Sequence, residues 1–381
     1  MSHYPKQYKS FSTNLKSLLH ILVHSMRTML NFTPGPVTLL NNILEAEQPP
    51  PHRCNRFEDL YAKMNLRLLN YLNCDESKYR SIIIPGSGTI GIECLILSYS
   101  SKKNCLYLSN GSFGDRWSDI AHIYRENIHI YKRNTGDNLD YDEIENIIKE
   151  KNIESVFLVH HETSSCVLND VAALNNVCIR HNVDIILDAV STIAVTEIDL
   201  EKLSTVSFIS FSSNKGLLSY PGISFIIGKI EKFEECQTYK NKSFYLDLNR
   251  YYDYSKINQT PTTPAVGVIQ QTYKSMNNLP KFTKYIDLNK YIIEEMKKIN
   301  ISEVEVKDKF YFCTNFWYPK NLNEGDFFKY LEQEKIYIYK CKQGLKGKAF
   351  QVSNLGEVTK EDVDYMIKKL DAYFSTLTSD D

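Results

Sequence analysis

The sequence predicts an α/β protein: a mainly parallel sheet of the seven-stranded type with helices on both faces, followed by a smaller α/β unit. Three observations carry this. From about Ser81, short apolar runs of strand length alternate with stretches of helical period, the pattern of crossover units and parallel pairing. The 381 residues suit two or three domains. After about Pro264 the rhythm shifts to helices interleaved with shorter strand-like segments. The expected divisions are an N-terminal extension over 1–31, a large domain over 32–265 and a small C-terminal α/β domain over 266–381.

Taken in order, a strand over 81–85 ends in Gly86-Ser-Gly88 and a helical period follows to Leu97. A strand over 105–109 leads through Asn110-Gly111 into a helix containing Trp117 to Tyr124. A strand over 127–131 and a helix over 141–149 come next. A strand over 154–159, a helix over 170–181 and a strand over 183–187 ending on Asp188 follow. Runs over 206–211 and 223–228 extend the sheet. In the last third, helices are expected over 264–276, 281–298 and 326–333, and strands over 302–306, 310–317, 336–339 and 349–352. Thr359-Lys-Glu-Asp362 matches a capping box opening a last helix to about Phe374.

Composition excludes several classes. Hydrophobic residues at 43% and charged residues at 24% fit a globular chain, not a disordered one. With 45 Lys plus Arg against 46 Asp plus Glu, the formal charge is −1, which removes the usual electrostatic argument for nucleic acid. The nine cysteines are scattered without a CxxC pair, so neither a zinc site nor a disulfide framework is expected, and a reducing compartment is. No run of 18 apolar residues suggests a membrane span. The apolar run at 18–23 is interrupted by His20 and lacks a cleavage site, so a cytoplasmic location is expected. Leu15, Leu18, Leu19, Leu22 and Met26 at helical spacing suggest a helix packing on the body or on a partner subunit.

Three loop ends carry chemistry. Gly86-Ser-Gly88-Thr-Ile-Gly91 follows a strand and opens a helix, where backbone N–H groups favour a phosphate. The same string formally matches a dinucleotide turn, which wants an acidic residue closing the next strand. That strand ends in Asn110, so a nicotinamide-dependent dehydrogenase stands only as the alternative from another class. Lys215, in Phe211-Ser-Ser-Asn-Lys215-Gly216, reads either as an exposed loop lysine or as a Schiff-base amine whose pKa must fall. Asp188 closes a strand where ligands bind in open α/β sheets, or it caps the next element. A lysine amine, a strand-end carboxylate and a phosphate cradle on one sheet are the combination that pyridoxal phosphate needs. His160 and His161 are adjacent on a strand and point to opposite faces, so no metal is expected.

Seven strings stand in order: Thr33-Pro-Gly-Pro36, Gly86-Ser-Gly-Thr89, Asn110-Gly-Ser-Phe-Gly-Asp-Arg116, His160-His-Glu-Thr163, Asp188-Ala-Val-Ser191, Ser213-Asn-Lys215 and Asn354-Leu-Gly-Glu357. Together they resemble the class V aminotransferases of fold type I, and among these the enzymes acting on 2-aminoethylphosphonate and pyruvate, with the alanine–glyoxylate enzymes next. The resemblance runs from about Phe32 to the C-terminus. It implies pyridoxal 5′-phosphate bound to Lys215, which also shuttles the proton, and Asp188 paired with the ring nitrogen. Phe113 would stack on one ring face and Val190 on the other, with Thr163 bonded to the phenolic oxygen. Ser87, Gly88 and Thr89 would hold the phosphate, helped by Asn214. Thr260 matches a position reaching the neighbouring subunit's phosphate, which implies a homodimer with shared sites. Thr33, Gly35 and Gln351 fall at substrate-binding positions.

One string departs from the pattern. Where the family has Phe-Arg-Ile-Gly, this chain reads Phe350-Gln351-Val352-Ser353, so a neutral amide replaces the bidentate cation that clamps the substrate's anion. Lys340, Lys342, Lys346 and Lys348 read as solvated loop lysines, with one of them folding over the site as the substitute cation the alternative. The resemblance thus implies amino transfer between a small 2-aminoethylphosphonate-like amine and an oxo acid such as pyruvate. A different small phosphorylated or neutral amine, or an alanine–glyoxylate-type substrate, is the alternative.

Overall fold

The computed structural model describes residues 29–39, 48–100, 103–125, 128–239 and 243–377. The helix expected over 14–30 falls almost wholly outside them, and its last residue, Leu30, instead opens strand β1 (Leu30–Asn31). Helix α1 (Asn55–Tyr71) precedes β2 (Tyr79–Gly86), α2 (Gly88–Ser98), β3 (Cys105–Ser109), α3 (Ser112–Tyr124), β4 (His129–Lys132), α4 (Tyr141–Lys151) and β5 (Ser155–Val159). A short hairpin, β6 (His161–Glu162) with β7 (Val167–Leu168), leads into α5 (Val171–His181), β8 (Asp184–Asp188), β9 (Val206–Ser212) and β10 (Gly222–Lys229).

The central sheet has seven strands in the order β2-β10-β9-β8-β5-β3-β4. Pairing is parallel from β9 through β4, while β10 runs antiparallel to both neighbours. The period of two is visible in burial. Ile185 and Leu187 of β8 join the core beneath α1, α4 and α5, whereas Ile186 joins the opposite core beneath α2 and α3. Both faces are therefore sealed, as the continuous apolar runs require. The helices are set by their caps. Asp140 accepts from Asp142 N and Glu143 N to start α4, and Asn152, at φ 50°, ends it.

Beyond β10 come α6 (Ile230–Gln237), α7 (Leu248–Ser255), α8 (Val266–Ser275), α9 (Phe282–Lys298), β11 (Cys313–Trp317), α10 (Glu324–Gln333), β12 (Ile336–Tyr337), β13 (Tyr339–Lys340), β14 (Ala349–Ser353) and α11 (Lys360–Leu377). A three-stranded sheet, β11-β14-β13, packs with α9, α10 and α11 around Phe316, Phe327, Phe350 and Leu370. The capping box forms: Thr359 N and Oγ1 donate to Asp362, and Asp362 N donates back to Thr359 Oγ1 at 3.3 Å. Leu30 and Phe32 belong to this C-terminal core, because β1 pairs in parallel with β12. Position 32 thus packs away from the large sheet with which its sequence context grouped it.

Two expected strands come out differently. The 302–306 segment is no strand: it lies beside β11 through Trp317 N to Ser302 O, Val304 N to Asn315 O and one isolated bridge, Glu303 with Phe316. The run over 336–339 breaks in two, β12 pairing with β1 and β13 with β14. The dinucleotide alternative also fails on topology. β2 is an edge strand paired antiparallel with β10 and separated from β3 by four strands, so the Gly86–Gly91 turn does not begin a β-α-β unit of adjacent parallel strands. Among the described residues no helix is long and apolar enough to cross a membrane.

Candidate active site

Strands β2, β3, β5, β8 and β9 share one direction, so their carboxyl ends lie along one edge of the sheet, and the singled-out residues cluster there. Lys215 sits on the tight turn after β9, which only glycine can continue, since a Cβ on Gly216 would lie 1.9 Å from Ile193 O. The Lys215 amine donates to Pro34 O at 2.6 Å. Gly35 presses on the lysine stem: a Cβ there would meet Cδ, Cε and Nζ at 2.6–2.8 Å. The 31–36 turn is itself fastened, because Thr33 Oγ1 donates to Asn31 Oδ1 at 2.7 Å and Tyr339 Oη to Gly35 O at 2.9 Å. The Thr33 hydroxyl is thus spent on folding this turn, and Gly35 contributes backbone and space.

Burial pulls the Lys215 pKa down to about 8; Arg116 pushes the same way, while Cys313 and Asp188 oppose. A lysine ordinarily titrating near 10.4 would be almost wholly charged at neutral pH, whereas this one is in reach of its neutral, nucleophilic form. Capture of pyridoxal phosphate by the cofactor-free protein should accordingly speed up about tenfold per unit as pH rises towards the pKa, then level off above about 8. Stopped-flow absorbance across pH 6–9.5 (roughly the span around that pKa) checks this, and a rate still climbing at the top of the range would contradict it.

Asp188, at the end of β8, is 5% exposed and accepts from Val190 N at 2.9 Å. Burial pushes its pKa up to about 7, with Glu162 adding to the rise, while the Val190 N–H, the Trp117 indole and Arg116 oppose it. A carboxyl so poised becomes a stable carboxylate when a cation is set against it. Ser87 begins α2 without using its own side chain as a cap, and Gly88 lies where a Cβ would be 2.7 Å from Val190 Cγ2 and 3.5 Å from Ser212 Cβ. Arg116 Nη1 reaches Thr89 Oγ1 at 3.4 Å, and its guanidinium lies over the Phe113 ring at 4.7 Å. Asn214 is half-buried beside Lys215.

Thr163 closes the other flank, its hydroxyl 3.4 Å from His161 Nδ1. His161 is packed between Phe310 and Phe312, and burial holds its pKa well below the ordinary value; the same cause takes His160 down to about 4. Both rings are neutral packing groups, bonded to Ser191 and Thr192. Among the described residues no cluster of three or more His, Cys, Asp or Glu is arranged for a metal.

Two residues expected at the site are occupied elsewhere. Thr260 is 1% exposed and its hydroxyl donates to Thr262 O at 2.8 Å within its own chain. Gln351, on β14, is buried, and its amide donates to Thr163 O at 2.7 Å and Asn315 Oδ1 at 2.8 Å. It therefore ties the C-terminal sheet to the Thr163 turn. Of the lysines considered as substitutes, Lys340 is paired with Glu324 at 3.0 Å, and Lys342, Lys346 and Lys348 are exposed.

The site residues fit pyridoxal phosphate. The Ser212 hydroxyl, 1% exposed and without a hydrogen-bond partner, sits beside Gly88 at the start of α2, where a phosphate oxygen would satisfy it. Ser212 was not singled out from the sequence, although it lies three residues before Lys215 at the end of a strand. Ser87, Gly88, Thr89, Asn214 and Ser212 would hold the phosphate, Asp188 the ring nitrogen, and Phe113, Val190 and Thr163 the ring.

Comparison with known proteins agrees. The family description "Aminotransferase class-V" matches residues 52–364. A 2-aminoethylphosphonate–pyruvate transaminase of Phocaeicola vulgatus is 26% identical over 366 residues, covering 91% of this chain and 99% of the relative. One of Bacillus cereus is 25% identical, covering 90% and 96%. Among solved structures, ureidoglycine–glyoxylate aminotransferase from Bacillus subtilis superposes with a TM-score of 0.84 at 20% identity, covering 93% of this chain and 95% of that one. Alanine–glyoxylate aminotransferase from Nostoc sp. gives 0.84 at 21% identity, covering 92% and 96%. These structures share the fold type I architecture, a mostly parallel sheet flanked by helices. With its family pattern matched over most of its length, the chain belongs to the class V aminotransferases, which are pyridoxal phosphate-dependent enzymes.

Proposed function

We propose that this transaminase moves an amino group between a small amine of the 2-aminoethylphosphonate kind and an oxo acid such as pyruvate, working as a cytoplasmic homodimer. The observation that carries the catalytic part is the Lys215 amine, brought down to about 8 beside a carboxylate and an open phosphate cradle. The named relatives support the substrate pair. Exposed Phe244 at 74% and Tyr220 at 38% are large apolar side chains that a second copy would cover.

When bound, pyridoxal phosphate supplies an electron sink for charge left on the substrate carbon as its proton departs. This chain supplies the rest. Lys215 Nζ takes that proton and returns it, its lowered pKa keeping both protonation states accessible near neutral pH. Asp188 holds a proton on the ring nitrogen by remaining a carboxylate against it. The Phe113 ring and Val190 side chain exclude water from the two faces.

The replacement at 351 tests the acceptor. Arginine there should add a charge-assisted bidentate pair, worth about 1.5–3 kcal/mol, to an oxo-acid carboxylate. The proposal expects Gln351→Arg to raise kcat/KM for pyruvate by about ten- to a hundredfold and to leave a neutral amine unimproved. One observation favours a second reading. Because the Gln351 amide is committed to Thr163 O and Asn315, this position offers no charge to a substrate anion, as suits a different small phosphorylated or neutral amine. Under that reading the arginine buries an unpaired cation and impairs the native reaction instead. Steady-state kinetics with pyruvate, 2-aminoethylphosphonate and a neutral amine separate the two.

A further inference from the structure

Helix α3 carries Phe113 in its first turn, yet nothing in its own sequence caps it. Its N-cap is Gly111, which has no side chain to accept from the orphan N–H groups. The cap comes from 48 residues away in the chain. Glu162 Oε2 accepts from Phe113 N at 2.9 Å and from Gly114 N at 3.1 Å. Its other oxygen, Oε1, accepts from Ser164 N at 3.1 Å and Ser164 Oγ at 2.5 Å, and Ser164 Oγ in turn accepts from Ser112 N at 3.0 Å. Glu162 is 0% exposed. Three of its four partners are backbone N–H groups that can only donate, and the fourth, the Ser164 hydroxyl, donates as well, so the carboxylate accepts from all four at once. Burial raises its pKa, and the hydrogen bonds from Ser164, Gly114 and Phe113 oppose the rise. A negative charge at the positive end of a helix adds to the stabilisation. Gly111 is glycine for the same reason: a Cβ there would lie 2.4–2.5 Å from Glu162 Cγ and Cδ.

We propose that Glu162 is a positioning residue for amino transfer: its carboxylate joins the first turn of α3 to the 162–164 turn, so that Phe113 and Thr163 are held as one unit. This rests on the reading of Phe113 and Thr163 as cofactor contacts in a pyridoxal phosphate enzyme. One oxygen serves the residue assigned to a ring face and the other serves the turn assigned to the phenolic oxygen. Gln351 holds that turn from the opposite side through Thr163 O, while Glu162, beside the single Ser112 N to Ser164 Oγ bond, links it to α3.

The test uses the full chain with Glu162→Gln, Phe113→Leu and the double variant. Three quantities are measured: thermal midpoint without cofactor, affinity for pyridoxal phosphate from its visible chromophore, and the single-turnover rate with an amine. Glu162→Gln keeps one acceptor but turns an NH2 group on the Ser164 donors. It should leave the cofactor-free protein folded, weaken cofactor binding about tenfold and slow the single turnover about tenfold. In the Phe113→Leu background its effect should shrink to under about threefold, because the two residues act together. An equal loss in both backgrounds, or affinity within about threefold of the parent, overturns the proposal. Glu162→Asp, which keeps the charge but is one methylene shorter, is read the same way if the glutamine variant does not accumulate. Loss of folding in both also overturns it, since a positioning residue leaves the fold standing. A parent that takes up no chromophore sinks the cofactor reading itself; a parent that does, with parent-like variants, sinks only the role of Glu162.

Discussion

Lys215→Ala is expected to lower transamination by at least about 10³-fold while the fold survives, since the role proposed for the amine covers both cofactor attachment and proton transfer. Other described lysines are held elsewhere. Lys229, at the far end of β10, donates to Ser204 O at 2.6 Å, and Lys340 is engaged with Glu324 at 3.0 Å. The sign of the stability change also follows. Because burial lowers the Lys215 pKa to about 8, the folded protein carries a half-buried, poorly solvated cation near neutral pH, and removing it relieves that cost. The cofactor-free variant should therefore melt no lower than the parent at pH 7 (about one unit below that pKa). Turnover within about tenfold of the parent would place the proton transfer on another group.

Asp188→Asn is expected to keep the fold and to bind pyridoxal phosphate, because asparagine has the same shape and its Oδ1 can still accept from Val190 N. It should nevertheless slow the single turnover by about 10²–10³-fold, equivalent to about 2.7–4 kcal/mol of barrier. The carboxylate's charge, not its hydrogen bond, is what the ring nitrogen requires. A rate within about threefold of the parent, measured by rapid mixing with an amine, would reduce Asp188 to a cap for the 188–190 turn.

The succession of the sheet strands along the chain was legible because their apolar runs are short and bounded by turn residues, whereas their order within the sheet was not. β3 begins and ends where expected, and β8 and β9 differ by a residue or so. Helices α1, α6 and α7 were not anticipated, since their Asn, Lys, Glu and Tyr residues blur the apolar stripe and only Phe57, Met64, Phe233 or Tyr251 mark the buried side. The 302–306 segment fails as a strand because Glu303 and Glu305 leave it at the rim of β11, with a single bridge.

Within the site, Lys215, Asp188 and Gly88 were legible because each ends or begins an element on the same edge of the sheet. What the sequence did not disclose was contact at long range. Gly35 lies against a lysine 180 positions later, Ser212 is left without a partner, and Glu162 caps a helix 48 residues before it. Thr260 shows the converse: a residue that the resemblance placed at the cofactor phosphate, with its hydroxyl bonded to Thr262 O of its own chain. The exchange at Gln351 was visible in the sequence, whereas its commitment to Thr163 and Asn315 depends on β14 pairing with β11.

The central claim is that Lys215 is the residue to which pyridoxal phosphate attaches. Borohydride reduction of the purified protein, followed by peptide mapping by mass spectrometry, tests it directly. The account predicts a visible chromophore that borohydride abolishes and one modified peptide, containing Phe211-Ser-Ser-Asn-Lys215-Gly216 with the added mass on Lys215. A modification on a different lysine, or a protein that takes up no pyridoxal phosphate, would contradict it.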